Sequence, residues 1–194
     1  MKAALIVGAG PGISAAFAKS LVADGYRVAI ASRDLQKLTT LAASIGAEPF
    51  TVDCSSADSI VNLFSTVETS FGIAPEVVLY NTGGGLGLSG DIGTIDYAAA
   101  AAAVNISAIG AFVTAHEAGK RMALKNNGAI FFTGATAGIK GNAKRGVFAM
   151  GKFALRGLAQ SMYKELSPLG IHVCHFVIDG RVRPYPGETH EFSA

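Results

Sequence analysis

Apolar residues in this chain follow two spacings that take turns. Short runs dense in Val, Ile and Phe occupy 3–8 (AALIVG), 26–32 (YRVAIAS), 47–53 (AEPFTVD), 76–81 (EVVLYN), 128–134 (GAIFFTG) and 171–178 (IHVCHFVI). They show little polar alternation, the pattern of strands covered on both faces. Between them the spacing turns helical, over about 12–24, 35–45, 57–71, 94–125 (one helix or two joined pieces) and 145–168. Asp34 before LQKL and Ser56 before ADSI are expected N-caps, and Gly46, Gly72 and Gly170 suit helix C-terminal stops. Six strands alternating with helices predict an α/β fold, a doubly wound parallel sheet of Rossmann type with helices on both faces. One domain over 1–180 and a short tail over 181–194 are expected. Such sheets bind ligands beyond the carboxyl ends of their strands. That directs attention to 8–14, 32–34, 53–55, 81–85, 134–138 and 178–183.

Composition narrows the picture further. Of the 194 residues, 50% are hydrophobic and 15% charged, which speaks against disorder. The net charge is +2 and no basic run occurs, so neither a nucleic acid nor a membrane surface is expected as a partner. The lone lysine and short apolar run of MKAALIVGAG read as a first buried strand, not a signal peptide. Tyr97 to Ala115 carries no charge, but its six consecutive alanines and its polar residues make it too weakly hydrophobic for a bilayer. A soluble helix buried on most faces is expected there. Cys54 and Cys174 are far apart without further ligands at metal spacing, and are read as reduced thiols of a cytoplasmic protein.

Candidate chemistry gathers at the strand ends. GAGPGIS (8–14) follows the first strand, where glycines permit a tight turn and close approach to a pyrophosphate at the next helix's N-terminus. ASRD (31–34) ends the second strand. An NAD-type site carries a carboxylate there; Ser32 and Arg33 stand instead, and a guanidinium suits a 2′-phosphate. The alternative for Arg33 is a solvated surface residue, and Asp34 fits a cap better than a ribose ligand.

With these residues the chain resembles the short-chain dehydrogenase/reductase superfamily from Met1 to about Gly180. GAGPGI resembles the family's cofactor loop, and Asp53 in VDCS the aspartate at the adenine ring. NTGG (81–84) resembles its Asn-Asn-Ala-Gly, with Asn81 supporting the central sheet. Asn105 in VNISAIG matches its proton-relay asparagine, and GAIFFTGATAG (128–138) the strand and loop that deliver a serine. Residues 152–173 (KFALRGLAQSMYKELSPLGIHV) match the helix that follows the family's lysine. The resemblance implies hydride transfer between a nicotinamide cofactor and an alcohol or carbonyl. It maps cofactor contacts onto Gly8, Gly10, Gly12, Ile13, Ser32, Arg33, Asp53, Cys54, Asn81, Gly83, Lys152 and Ile178. Lys152 and Asn105 are the catalytic positions retained. Arg33 favours NADP over NAD.

The departures fall on the chemistry. The family's tyrosine, general acid/base of the reaction, is Phe148 in FAMGK, and its serine is Ala135. Thr136 and Tyr185 are conceivable substitutes, neither at the motif position. Ser14 replaces the last glycine of the loop, Pro11 lacks an N–H for the phosphates, and Asp179-Gly180 replaces Pro-Gly near the nicotinamide. The family's further helix and seventh strand are missing, so strand six is expected at the sheet edge, with Pro184 and Pro186 blunting it. Two readings stay open: an oxidoreductase with an altered centre and unidentified substrate, or a nucleotide-binding sensor or partner subunit without turnover. By the same resemblance, the helices over 105–125 and 145–168 imply a homodimer, not a tetramer. His116-Glu117 lacks a second zinc ligand at 120. His172 and His175 point to opposite faces of a strand, and Met150, Met162 and Cys174 are taken as core.

Overall fold

The computed structural model describes residues 1–83, 88–180 and 182. Six parallel strands, β1 (Lys2–Val7), β2 (Tyr26–Ser32), β3 (Glu48–Thr51), β4 (Val77–Tyr80), β5 (Gly128–Ala135) and β6 (Ile171–Ile178), form one sheet in the order β3-β2-β1-β4-β5-β6. The order reverses between β1 and β4, which opens a crevice at their carboxyl ends. Six α-helices connect or flank the strands: α1 (Ile13–Ala23), α2 (Leu35–Ile45), α3 (Ala57–Phe71), α4 (Tyr97–Val104), α5 (Ala111–Ala123) and α6 (Gly146–Leu166). On one face of the sheet, Leu5, Val7, Val78, Ile130 and Phe132 pack against Phe64, Met122 and Leu155 of α3, α5 and α6. On the other, Ile6, Ile30 and Leu79 meet Leu21 and Leu38 of α1 and α2.

The expected punctuation is present. The Asp34 and Ser56 side chains accept the N–H of Lys37 and Ser59, and Asp96, a cap that the sequence did not single out, accepts that of Ala99, satisfying first-turn donors. Gly46, Gly72 and Gly170 end their helices in the left-handed region, where a Cβ would be strained. β3 and β4 end earlier than the apolar runs suggest, yet the Val52 N–H still donates to Ser32 O (3.0 Å) and that of Asn81 to Val7 O (2.8 Å). The chain leaves the ladder there to form the crevice.

The 94–125 stretch resolves into α4 and α5 joined by a π-helical turn, Asn105–Gly110. The Tyr80 hydroxyl donates to Ile106 O at this turn. A Cβ on Gly110 would collide with that hydroxyl and with Cys54 O, so only glycine lets the turn sit this close. Two expectations need correction. By length and mean hydropathy (1.7), Tyr97–Ala123 could cross a membrane, and only 33% of its apolar window is buried. It is not a helix buried on most faces: α5 lies on β4, β5 and β6 while α4 packs on α6, and each leaves its other side in solvent. Ile109 and Phe112 are left about half exposed. Met150, expected in the core, is likewise 59% exposed on α6. β6 is an edge strand among the described residues.

Candidate active site

The loop from β1 to α1 is shaped by Gly8. Its φ is +83°, and a Cβ there would lie 2.6 Å from Asn81 O and 2.8 Å from Thr82 Cγ2. The loop thus presses on the end of β4. Gly12 caps α1 with no side chain engaging the first-turn amides, which leaves donors at the positive end of the helix. Ser14 is 1% exposed and accepts the Asn81 Nδ2–H (2.7 Å), while its own hydroxyl reaches Gly8 O (3.4 Å). The serine that stands in place of the family's glycine does not loosen the loop. It ties the loop to the sheet, and Asn81 is held by it.

Two cavities share Asn81, Thr82 and Gly83 and together trace a groove along the strand ends. One, about 450 Å³, is lined by Gly8, Ser32, Arg33, Asp53, Cys54 and Ile106 among others. Asp53 Oδ1 accepts the Ser55 hydroxyl (2.7 Å) and N–H (2.9 Å), which hold its carboxyl below the usual range. The Cys54 thiol is pushed up to about 11 by burial, so it is a packing group and not a thiolate. Arg33 is exposed at the rim.

The other cavity, about 660 Å³, is lined by Ile13, Ala135, Thr136, Phe148, Lys152 and Ile178 together with Asn142, Arg145 and Ser89. Lys152 is 5% exposed. Its Nζ donates to Thr133 O (2.8 Å) and Thr82 O (3.3 Å), and burial brings its pKa down to about 8. The Phe148 ring centroid lies 5.7 Å from Nζ. Thr136 gives its hydroxyl proton to Asp179 Oδ1 (2.6 Å), with Ile178 O at 3.4 Å. Its hydroxyl is therefore committed to the β5–β6 junction.

Gly8, Ile13, Ser32, Arg33, Asp53, Cys54, Asn81, Gly83, Lys152 and Ile178 all line this groove. Gly10 and Gly12 form the turn beside it without lining either cavity. Asn105 stands apart: its Nδ2 donates to Ser55 O (2.9 Å), and it does not border the Lys152 cavity. Tyr185, Pro184, Pro186 and Gly84 lie outside the described residues. Asn142, Arg145 and Ser89 were missed in the sequence, where no spacing relates the 139–145 loop or Ser89 to Lys152.

The short chain dehydrogenase family model matches residues 2–180. A 3-oxoacyl-[acyl-carrier-protein] reductase of Bos taurus is 25% identical over 174 residues, covering 89% of this chain and 72% of that protein. The crystal structure of a short-chain dehydrogenase from Rhodopseudomonas palustris superposes with a TM-score of 0.83 at 32% identity, over 92% of this chain and 84% of that one. A metagenomic short-chain oxidoreductase in complex with NADP gives a TM-score of 0.84 at 26% identity, over 91% and 81%.

Proposed function

The chain belongs to the short-chain dehydrogenase family, and from that premise we propose that it binds NADP(H) and works as an oxidoreductase with an altered proton-transfer centre, on an alcohol or carbonyl not identified by its residues. The observation that carries the reading is the unbroken groove from Arg33 to Lys152 past the Gly8 turn. Its donor set fits a dinucleotide. The uncapped start of α1 suits the pyrophosphate, Asp53 keeps a carboxylate beside the adenine end, and Lys152 suits the nicotinamide ribose. Arg33 supports a 2′-phosphate, as does the NADP complex of the metagenomic relative.

The nicotinamide, when bound, supplies or accepts a hydride; the protein must handle the proton. Phe148 cannot do so, and Ala135 offers no hydroxyl to position a substrate oxygen. General acid/base groups contribute about 10²–10⁴ in rate, so turnover falls by that factor unless water or Lys152 supplies the proton. The same two residues favour a second reading, a nucleotide-binding sensor or partner subunit without dehydrogenase turnover.

Fluorescence titration with NADPH and separately NADH tests the binding claim. Saturation with NADPH at least tenfold tighter supports NADP selectivity. No binding of either nucleotide refutes the oxidoreductase reading.

We also propose a cytoplasmic homodimer formed by α5 and α6. Ile109, Phe112, Met150 and Phe153 are each 45–59% exposed there, and an apolar groove of about 430 Å³ runs between the two helices. Sedimentation equilibrium of the wild type and Phe112→Glu decides it. A wild-type monomer at micromolar concentration sinks the proposal.

A further inference from the structure

We propose that Lys152 is an amine nucleophile that forms an imine with uncharged aldehydes admitted to the cavity bounded by Phe148, Ala135 and Ile178. This goes beyond the redox reading and does not depend on it, since no bound nucleotide is needed.

The hydrogen bonds of the amine are the starting point. Nζ meets two acceptors, Thr133 O and Thr82 O, both neutral carbonyls. Among the described residues no carboxylate or phenolate contacts it. A neutral amine carries two hydrogens and one lone pair. The hydrogens match the two carbonyls, and the lone pair is left without a competing donor. An ammonium would instead bring a third N–H for which the described residues offer no further acceptor. The Phe148 ring, 5.7 Å away, lies near the outer limit for attracting a cation.

Burial, not a neighbouring charge, lowers the pKa of the amine. Arg145, just before α6, lines the same cavity; α6 supplies Arg156, and β6 supplies His175, whose pKa is lowered by burial and then by Arg156 and Lys152. Asp179, past β6, is hydrogen-bonded by Thr136. β5, the π turn and residues 136–138 carry no charged side chain. Tyr80 of β4 is engaged with Ile106 O, and the ion pairs of α5 run to Glu117 and to Glu68 of α3. α4 contributes Tyr97, which is 86% exposed. With burial bringing the amine to about 8 from an ordinary 10.5, about 9% is neutral at pH 7 instead of about 0.03%, a roughly 300-fold gain. Desolvation of a lysine is an established way of activating an amine.

In the step itself, Nζ attacks the carbonyl carbon to give a carbinolamine. The carbonyl oxygen then leaves as water with both amine hydrogens, and a C=N bond remains. No oxidant or reductant takes part. The walls are mixed, with Phe148, Ala135 and Ile178 facing polar residues that include Ser89, Asn142 and Arg145, and suit an aromatic aldehyde with a polar substituent.

The test incubates the whole protein with 4-methoxybenzaldehyde and sodium cyanoborohydride, which traps an imine as a secondary amine, and maps adducts by mass spectrometry. The eight other lysines are internal standards. At pH 7 Lys152 should label at least tenfold faster than their mean, and the ratio should fall more than tenfold by pH 10 as the others lose their protons. Phe148→Tyr, which puts a phenol beside the amine, should slow Lys152 several-fold. Labelling of Lys152 no faster than its neighbours in folded protein, or unchanged in Phe148→Tyr, overturns the proposal. A parallel arm adds NADPH. Protection upholds both this inference and the cofactor groove, whereas fast labelling without protection upholds the amine and counts against the cofactor reading.

Discussion

Replacing Gly8 by alanine sets two helical-scale costs against a net stability of only about 5–15 kcal/mol. The first is conformational: φ of +83° places any Cβ in the left-handed region, at about 1–2 kcal/mol. The second is steric. The new methyl would stand 2.6 Å from Asn81 O and 2.9 Å from Asn81 C, both backbone atoms that cannot rotate away, and 2.8 Å from Thr82 Cγ2. Relief requires the β1 loop to lift from the end of β4, and overpacking of this kind costs about 1–3 kcal/mol. Together they predict a loss of about 2–5 kcal/mol. For a chain of this size that lowers Tm by roughly 4–20 °C. Gly10→Ala is the control, since nothing lies within 4 Å of a Cβ there; its stability should stay within about 0.5 kcal/mol of wild type. Urea unfolding of the three proteins, with NADPH titration alongside, measures both effects. Gly8→Ala as stable as Gly10→Ala would refute the claim that contact with Asn81 fixes this loop.

Other outcomes follow from the same geometry. Ser14→Ala removes the shorter of two acceptors of Asn81 Nδ2, leaving Gly8 O at 3.4 Å, and should cost about 1 kcal/mol in urea unfolding. Burial of Glu117 raises its pKa, but hydrogen bonds from Lys120 and Arg121 outweigh it and hold the carboxyl below 4.5. Its contribution is therefore complete above about pH 4.5 and fades as pH falls through the lower folded value. Stability measured against pH should flatten in that acid range in Glu117→Gln. The double substitution Phe148→Tyr with Ala135→Ser restores a proton donor and a hydroxyl beside Lys152. It should raise NADPH-dependent carbonyl reduction over a substrate panel by about 10²-fold or more; no gain with NADPH still bound would mean the substrate end of the groove is not competent.

Much of this molecule was written into local patterns. The unbroken apolar runs determined a sheet covered on both faces, since a strand buried on each side has no polar face to show. Asp34, Ser56, Gly46 and Gly72 marked helix ends because capping is a matter of neighbouring backbone groups. The glycines at 8–12, Arg33 and Asp53 were legible because each follows a strand end, and the topology brings such ends together. That position 148 holds a phenyl ring without a hydroxyl needed only the residue's identity.

Other features exist only in the folded chain. Ser14 looked like a defect until Asn81, 67 positions away, was seen donating to it. Whether Lys152 carries its charge depends on burial and on the carbonyls of Thr82 and Thr133, none of which spacing reveals. The side of the 97–115 stretch left in solvent was likewise beyond its composition, which has no charge to mark it. Sequence patterns report on groups a few residues apart; hydrogen-bond partners, desolvation and exposure are set by contacts that only tertiary packing creates.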